Sequence, residues 1–231
     1  MKKPTFVALL LLLTTSLATA QTAPASSPAP KGVHFVYLIR HGMYVPDTVN
    51  TDDRVSSALN ALGHAQAKLV GKRLAKLPVT FHALVTSDFT RARETADDIG
   101  RILHMTPVRD SLVHECTPRA ENPAWMRNAH EDEIALCESH LAAAWAKYVV
   151  PTPDADTHDI VVCHGNVIRW MIAKTLADDP THCSRMDIGN CSLTIIAVRP
   201  DGVPRLVMYS DVGHLPLDKQ TWTGRGAGWK K

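Results

Sequence analysis

The sequence predicts an α/β fold, a three-layer αβα sandwich built around a mostly parallel sheet. Two observations carry this. From residue 33 onward, short apolar runs rich in β-branched residues alternate with longer amphipathic segments, the rhythm of strand and helix in an open sheet. Two of the runs also end alike, in Arg40-His41-Gly42 and His164-Gly165, as parallel strands do when their carboxyl ends face one ligand crevice.

Each element follows from its own residues. Val33 to Ile39 is apolar and aromatic throughout, as a strand buried on both faces should be. Leu59 to Leu77 reads as a helix with Ala65, Leu69, Leu74 and Leu77 near one face, stopped by Pro78. His82 to Ser87 is strand-like, and Asp88 to Leu103 reads as a helix whose acidic start suits the helix dipole. Asp110 to Pro123, with two prolines, is expected to wander over the surface, and Pro123 to Tyr148 to be mostly helical. Asp159 to Gly165 returns to strand and Asn166 to Leu176 to helix, before Ser192 to Ser210 supplies two strands around a Pro-Asp-Gly turn.

The 231 residues suit one domain with a substantial core, expected over 33–231. Ahead of it, Lys2 and Lys3 precede an apolar stretch from Phe6 to Leu13 and a small-residue ending at Ala18-Thr19-Ala20, which reads as a signal peptide over 1–20. Residues 21–32 read as a flexible linker. The expected location is therefore export, to a periplasm or to the medium. Without the two leader lysines, the 25 basic residues fall to 23, equal to the 23 acidic ones, so the mature chain is formally neutral. That balance argues against nucleic acid as a partner, and no later stretch is apolar enough for a stable membrane span.

Five cysteines, with no Cys-x-x-Cys pair, fit an exported protein better than a metal site. Cys183 with Cys191 and Cys116 with Cys137 are the two candidate bridges, while Cys163, in an apolar run, reads as a buried free thiol. Twelve histidines lack a ligand spacing such as His-x-x-x-His in a helix, so no metal and no cofactor is expected.

The chemistry converges on a phosphate. His41 and His164 follow two strands, Arg40 adds a permanent charge, and Arg91, just inside the helix after a third strand, can fork two phosphoryl oxygens. Glu115 is a carboxylate suited to proton donation. Asn166 either caps the helix that follows His164 or touches substrate, and His214 either lines the entrance or packs beside it. The leaving group is expected to meet loops at Pro46 to Val55, Cys116 to Arg127 and Val212 to Leu217.

On Arg40-His41-Gly42, "LNALGHAQA", "SDFTRARET", Glu115 and "HGNVIR", the chain resembles the histidine phosphatase superfamily, in its phosphoglycerate-mutase-like branch, over Val33 to Leu217. "RHGMY", "CHGNVIRW" and "PLDKQT" are similar to the mitochondrial Ser/Thr protein phosphatase subgroup. The resemblance implies that His41 is the nucleophile of a phosphohistidine intermediate. It assigns the phosphoryl oxygens to Arg40, Arg91 and His164, and the leaving oxygen to Glu115. Met43 stands where this branch often has Glu, which favours hydrolysis over mutase chemistry. The expected activity is hydrolysis of a phosphorylated protein or of a small or envelope-linked phosphate ester. The alternatives are a phosphate-binding module without turnover and a phosphoglycerate-mutase-type phosphotransferase.

Overall fold

The period of two along β1 (His34–Arg40) sets the layers of the fold. Val36 and Leu38 enter one core, while Tyr37 and Ile39 enter the other. β4 (Thr157–Cys163) divides the same way, with Val161 and Cys163 on the first side and Ile160 and Val162 on the second. The computed structural model describes Met1 and residues 31–222. The expected signal peptide and nearly all of the expected linker lie outside the described residues. Lys31 and Gly32, assigned to the linker, already belong to the fold: the Lys31 amide donates to Pro153 O, and Gly32 bridges to Thr152.

β2 (Ala83–Thr86), β3 (Val108–Arg109), β5 (Leu193–Val198) and β6 (Pro204–Asp211) complete a six-stranded sheet in the order β3-β2-β4-β1-β5-β6. β3, β2, β4 and β1 run parallel, and β5 and β6 add an antiparallel edge. α4 (Glu131–Tyr148) and α5 (Gly165–Thr175) cover the first core through Cys137, Leu141, Val167, Ile168 and Met171. α1 (Ala61–Leu74) and α2 (Thr90–Leu103) cover the second. The three-layer architecture is the expected one.

Several boundaries differ from expectation, each for a local reason. The buried face of α1 is Ala67, Val70 and Leu74, with Ala65 and Leu69 only half-buried. Gly71 places this face close to α2, where a Cβ would lie 2.9 Å from Ile102 Cδ1. The helix ends at Leu74, because the amides of Lys76 and Leu77 reach back only three residues, to Arg73 and Leu74. α2 opens at Thr90, so Asp88 lies outside it and no carboxylate occupies its first turn. β3, two exposed residues at the sheet edge, gives no periodic signal in the sequence. The expected helical stretch after Pro123 is two helices, the short α3 (Pro123–Met126) and then α4.

Cys116 and Cys137 form a disulfide, while Cys163, Cys183 and Cys191 are free and buried. The expected Cys183–Cys191 bridge is thus corrected. Cys183 lies in the 3-10 turn Pro180–Arg185, which packs on α5, whereas Cys191 belongs to the core on the opposite side of the sheet. Among the described residues no helix is long and apolar enough to cross a membrane.

Candidate active site

Strand register alone brings the two histidines together. Arg40 pairs with Cys163 at the last rung of the parallel β1–β4 ladder, so the next residues, His41 and His164, emerge side by side. Their ring centroids are 5.1 Å apart, and both side chains are buried. β2 ends one rung away, where Thr86 pairs with Val162, and this puts the Ser87 hydroxyl 2.8 Å from His164 Nε2. His164 Nδ1 is buried and makes no hydrogen bond within the protein.

His41 Nδ1 lies 2.8 Å from the Gly42 carbonyl oxygen. A carbonyl only accepts, so Nδ1 carries the proton and the lone pair is left on Nε2. Burial first, then the Arg40 and Arg91 guanidiniums, push the imidazole well below its usual range, while the Gly42 bond opposes them. A neutral ring with a free Nε2 lone pair follows.

The turn after His41 is fixed by the two helices beneath it. The Gly42 amide donates to Thr95 Oγ1 at 3.0 Å, and the Met43 amide to the fully buried Gln66 at 2.8 Å. Gly42 and Gly63 touch backbone to backbone: a Cβ on Gly63 would stand 2.0 Å from Met43 O. This gives the Gly and Gln of "LNALGHAQA" a physical task, which is to seat the loop that carries the histidine. Asn190 supports the same loop, with its Nδ2 donating to His41 O at 3.0 Å.

Two guanidiniums, Arg40 and Arg91, act on His41, and a third, Arg169, acts on Arg40 and Glu115. Arg40 Nη1 donates to Ile188 O at 2.6 Å, and burial lowers the pKa of its guanidinium to about 10. Arg91 sits between the rings of Tyr44 and Phe89, 4.8 and 5.1 Å from their centroids, and its Nη1 is 2.8 Å from Asp53 Oδ1. Its Nε is buried without a hydrogen-bond partner. Arg169, on α5, donates from Nη1 to Asn166 Oδ1 at 3.1 Å.

Glu115 is brought to the cluster by Asn166. The Asn166 amide donates to Glu115 Oε1 at 3.1 Å, and its Nδ2 to Cys116 O at 2.9 Å. Asn166 is therefore not the helix cap, a position that His164 occupies; it holds the Glu115 segment in place. Burial raises the Glu115 carboxyl above its ordinary pKa, against the pull of Arg40, Arg91 and Arg169, so it can carry a proton.

His214 is the one sequence candidate that lies outside this group. Its Nε2 donates to Cys191 O at 3.0 Å and its Nδ1 accepts from Arg73 at 3.2 Å. The Cys191 amide in turn donates to Arg40 O at 3.0 Å, so His214 supports the strand end from behind. Asp53, Ser87, Phe89 and Arg169 were not singled out from sequence. Arg169 had a signal, as it closes "HGNVIR" one helical turn after Gly165; Asp53 lies in the loop Pro46 to Val55 expected to meet the leaving group, but nothing marks it individually. Among the described residues no group of three or more His, Cys, Asp or Glu is arranged to hold a metal.

The family model of the histidine phosphatase superfamily (branch 1) matches residues 36–212. The mitochondrial serine/threonine-protein phosphatase Pgam5 of Caenorhabditis briggsae is 34% identical over 196 residues, covering 81% of this chain and 66% of that protein. Its Homo sapiens counterpart, PGAM5, is 34% identical over 201 residues, covering 83% and 67%. The chain thus spans about two thirds of the length of the curated relatives it matches. Among solved structures, Bacillus stearothermophilus YhfR superposes with a TM-score of 0.62 at 21% identity, over 78% of this chain and 98% of that one. A phosphoglycerate mutase from Plasmodium falciparum gives 0.54 at 23%, over 81% and 96%. Those two likenesses concern the fold. The expectation of an exported, periplasmic or secreted protein is corrected here, since the sequence relatives are named as mitochondrial proteins.

Proposed function

The chain belongs to the histidine phosphatase superfamily, and from that premise we propose that it is a metal-independent phosphomonoester hydrolase working through a phosphohistidine on His41. The observation that carries this reading is the His41–Gly42 contact, which leaves a neutral imidazole with its Nε2 lone pair among guanidiniums. Phosphoryl transfer needs in-line positioning and charge neutralisation above all. Arg40 and Arg91 supply the charge. The unpartnered His164 Nδ1 and Arg91 Nε are polar atoms that phosphoryl oxygens would satisfy.

Two steps follow. His41 Nε2 attacks phosphorus while Glu115, whose pKa burial raises, gives its proton to the departing ester oxygen. Glu115, now a carboxylate, then takes a proton from the water that attacks the phosphohistidine. The relatives named as serine/threonine-protein phosphatases make a phosphoserine or phosphothreonine protein the first substrate to try, with small phosphate esters next.

The test is p-nitrophenyl phosphate hydrolysis in the presence of EDTA, with acid-labile protein phosphate trapped by rapid quench. Activity is expected to survive chelation, and both activity and labile phosphate to vanish in His41→Ala. Unchanged turnover in that variant would overturn the mechanism.

A further inference from the structure

We infer that the cavity beside the Glu115 segment is the subsite for the leaving group, and that it takes an alcohol bearing an uncharged, flat apolar group such as an aromatic ring. This rests on the hydrolase reading above and deepens it. Glu115 stands between His114 and Cys116, and both of these line a cavity of about 410 Å³, together with Trp125, Ile134, Leu136 and His140. That volume falls within the range of small-molecule sites. Glu115 itself is not in the lining, but both of its chain neighbours are, and a group that protonates a leaving oxygen lies beside the leaving group.

Its walls say what fits. The indole, two aliphatic side chains and the Cys116–Cys137 disulfide make a mostly apolar lining. A row of rings runs into it from the nucleophile without a break: His41 to His164 at 5.1 Å, His164 to Phe89 at 5.3 Å, Phe89 to His114 at 5.3 Å and His114 to His140 at 5.2 Å. A flat group that reaches the cavity meets the end of that row, at His114 and His140. His140 Nδ1 is buried with no hydrogen-bond partner and can meet one polar atom of the ligand. Glu133 also lines the space and disfavours a second anionic group. Trp125 lies under Arg169, which holds Asn166, which in turn holds Glu115, so the cavity wall and the proton donor share one scaffold.

The full chain is assayed on methyl phosphate and 2-naphthylmethyl phosphate, both esters of primary alcohols, so the comparison reads the pocket and not leaving-group acidity. In parallel, calorimetry measures binding of methylphosphonate and 2-naphthylmethylphosphonate, which does not depend on turnover. The naphthylmethyl compounds are expected to exceed the methyl ones about tenfold in kcat/KM and in affinity, from burial of the ring. Leu136→Glu, at a cavity residue 58% exposed, and Ala129→Trp, which fills the space, are expected to abolish that preference and leave methyl phosphate hydrolysis unchanged. Equal values for the two groups in the wild type, or a preference untouched by both variants, overturns the subsite even if every ester is hydrolysed. If neither ester turns over, a tenfold binding preference that the variants erase still supports the subsite and equal binding removes it, while the p-nitrophenyl phosphate assay decides the hydrolase reading separately.

Discussion

His41 Nδ1 and the carbonyl oxygen of the very next residue, Gly42, are 2.8 Å apart, a contact that the backbone makes with its own side chain. It selects the tautomer without calling on any distant group. The orientation of the nucleophile is therefore as rigid as the turn that follows β1. Replacing His41 by Asn keeps a polar side chain and loses the Nε2 nucleophile. Turnover is expected to fall by at least ~10³-fold while inorganic phosphate still binds, as isothermal calorimetry would show.

The pH dependence follows from two displaced groups. Glu115 has a raised pKa and, in the proposed mechanism, acts in its protonated form, so kcat is expected to fall as pH rises through that pKa. His41 stays neutral well below pH 6.5, so the acid limb lies below that value. Arg169→Met removes one of the cations that lower the Glu115 pKa, and the alkaline limb of the kcat profile is expected to move to higher pH. Glu115→Gln is expected to slow an alkyl ester by about 10²-fold or more, and p-nitrophenyl phosphate by less, because p-nitrophenolate leaves without a proton.

Asp53 pairs with Arg91, the guanidinium proposed to hold the phosphoryl group, and would compete with that group for it. The pair is 2.8 Å long, with the Asp53 side chain 33% exposed and that of Arg91 5% exposed. Asp53→Asn removes a negative charge from the phosphate's surroundings, and the inhibition constant for phosphate is expected to fall about threefold, the modest size that a solvent-screened pair permits. A weaker phosphate inhibition in the variant would mean that Asp53 serves to orient Arg91.

Gly63→Ala tests the seat of the catalytic loop. The added methyl would stand 2.0 Å from a backbone oxygen, which no rotamer change relieves. A loss of about 3 kcal/mol in chemical denaturation is expected, the upper end of the usual overpacking range. Activity is expected to fall further than the remaining folded fraction accounts for, since the shift falls on Met43.

His214 makes stability itself depend on pH. Burial, with Arg73 adding to it, lowers its pKa to about 4, below the 6.5 of an unfolded chain. Between those values the unfolded state binds more protons, so stability is full above pH 6.5 and is lost as pH falls toward 4. The slope of Tm against pH in that window is expected to flatten in His214→Gln.

What the sequence made legible is what repeats locally. The apolar runs of β1 and β4, and the glycines that end them, announced the strands and the shared edge, so Arg40, His41 and His164 were found together. Glu115 and Arg91 came through motif context. The partners of these groups were hidden because they depend on contacts across long stretches of chain, as with Asp53 reaching Arg91 and His214 reaching Cys191. The buried face of α1 is rotated slightly from the one its apolar residues predict, since Gly63 and Gly71, without side chains to count, decide which side approaches its neighbours. Cys183 and Cys191 are close in sequence, yet the sheet separates them.

β1 is hydrogen-bonded along its length on both sides, to β4 and to β5. A strand in that position opens only when the whole domain does, whereas the 45–57 loop that supplies Asp53 is mostly exposed and lacks regular structure. Amides of Val36 to Ile39 are then expected to exchange with solvent deuterium at the rate of global unfolding, and those around Asp53 orders of magnitude sooner. In rising denaturant, the Asp53–Arg91 pair is expected to loosen first, and the strand that carries His41 to hold until the molecule itself is gone.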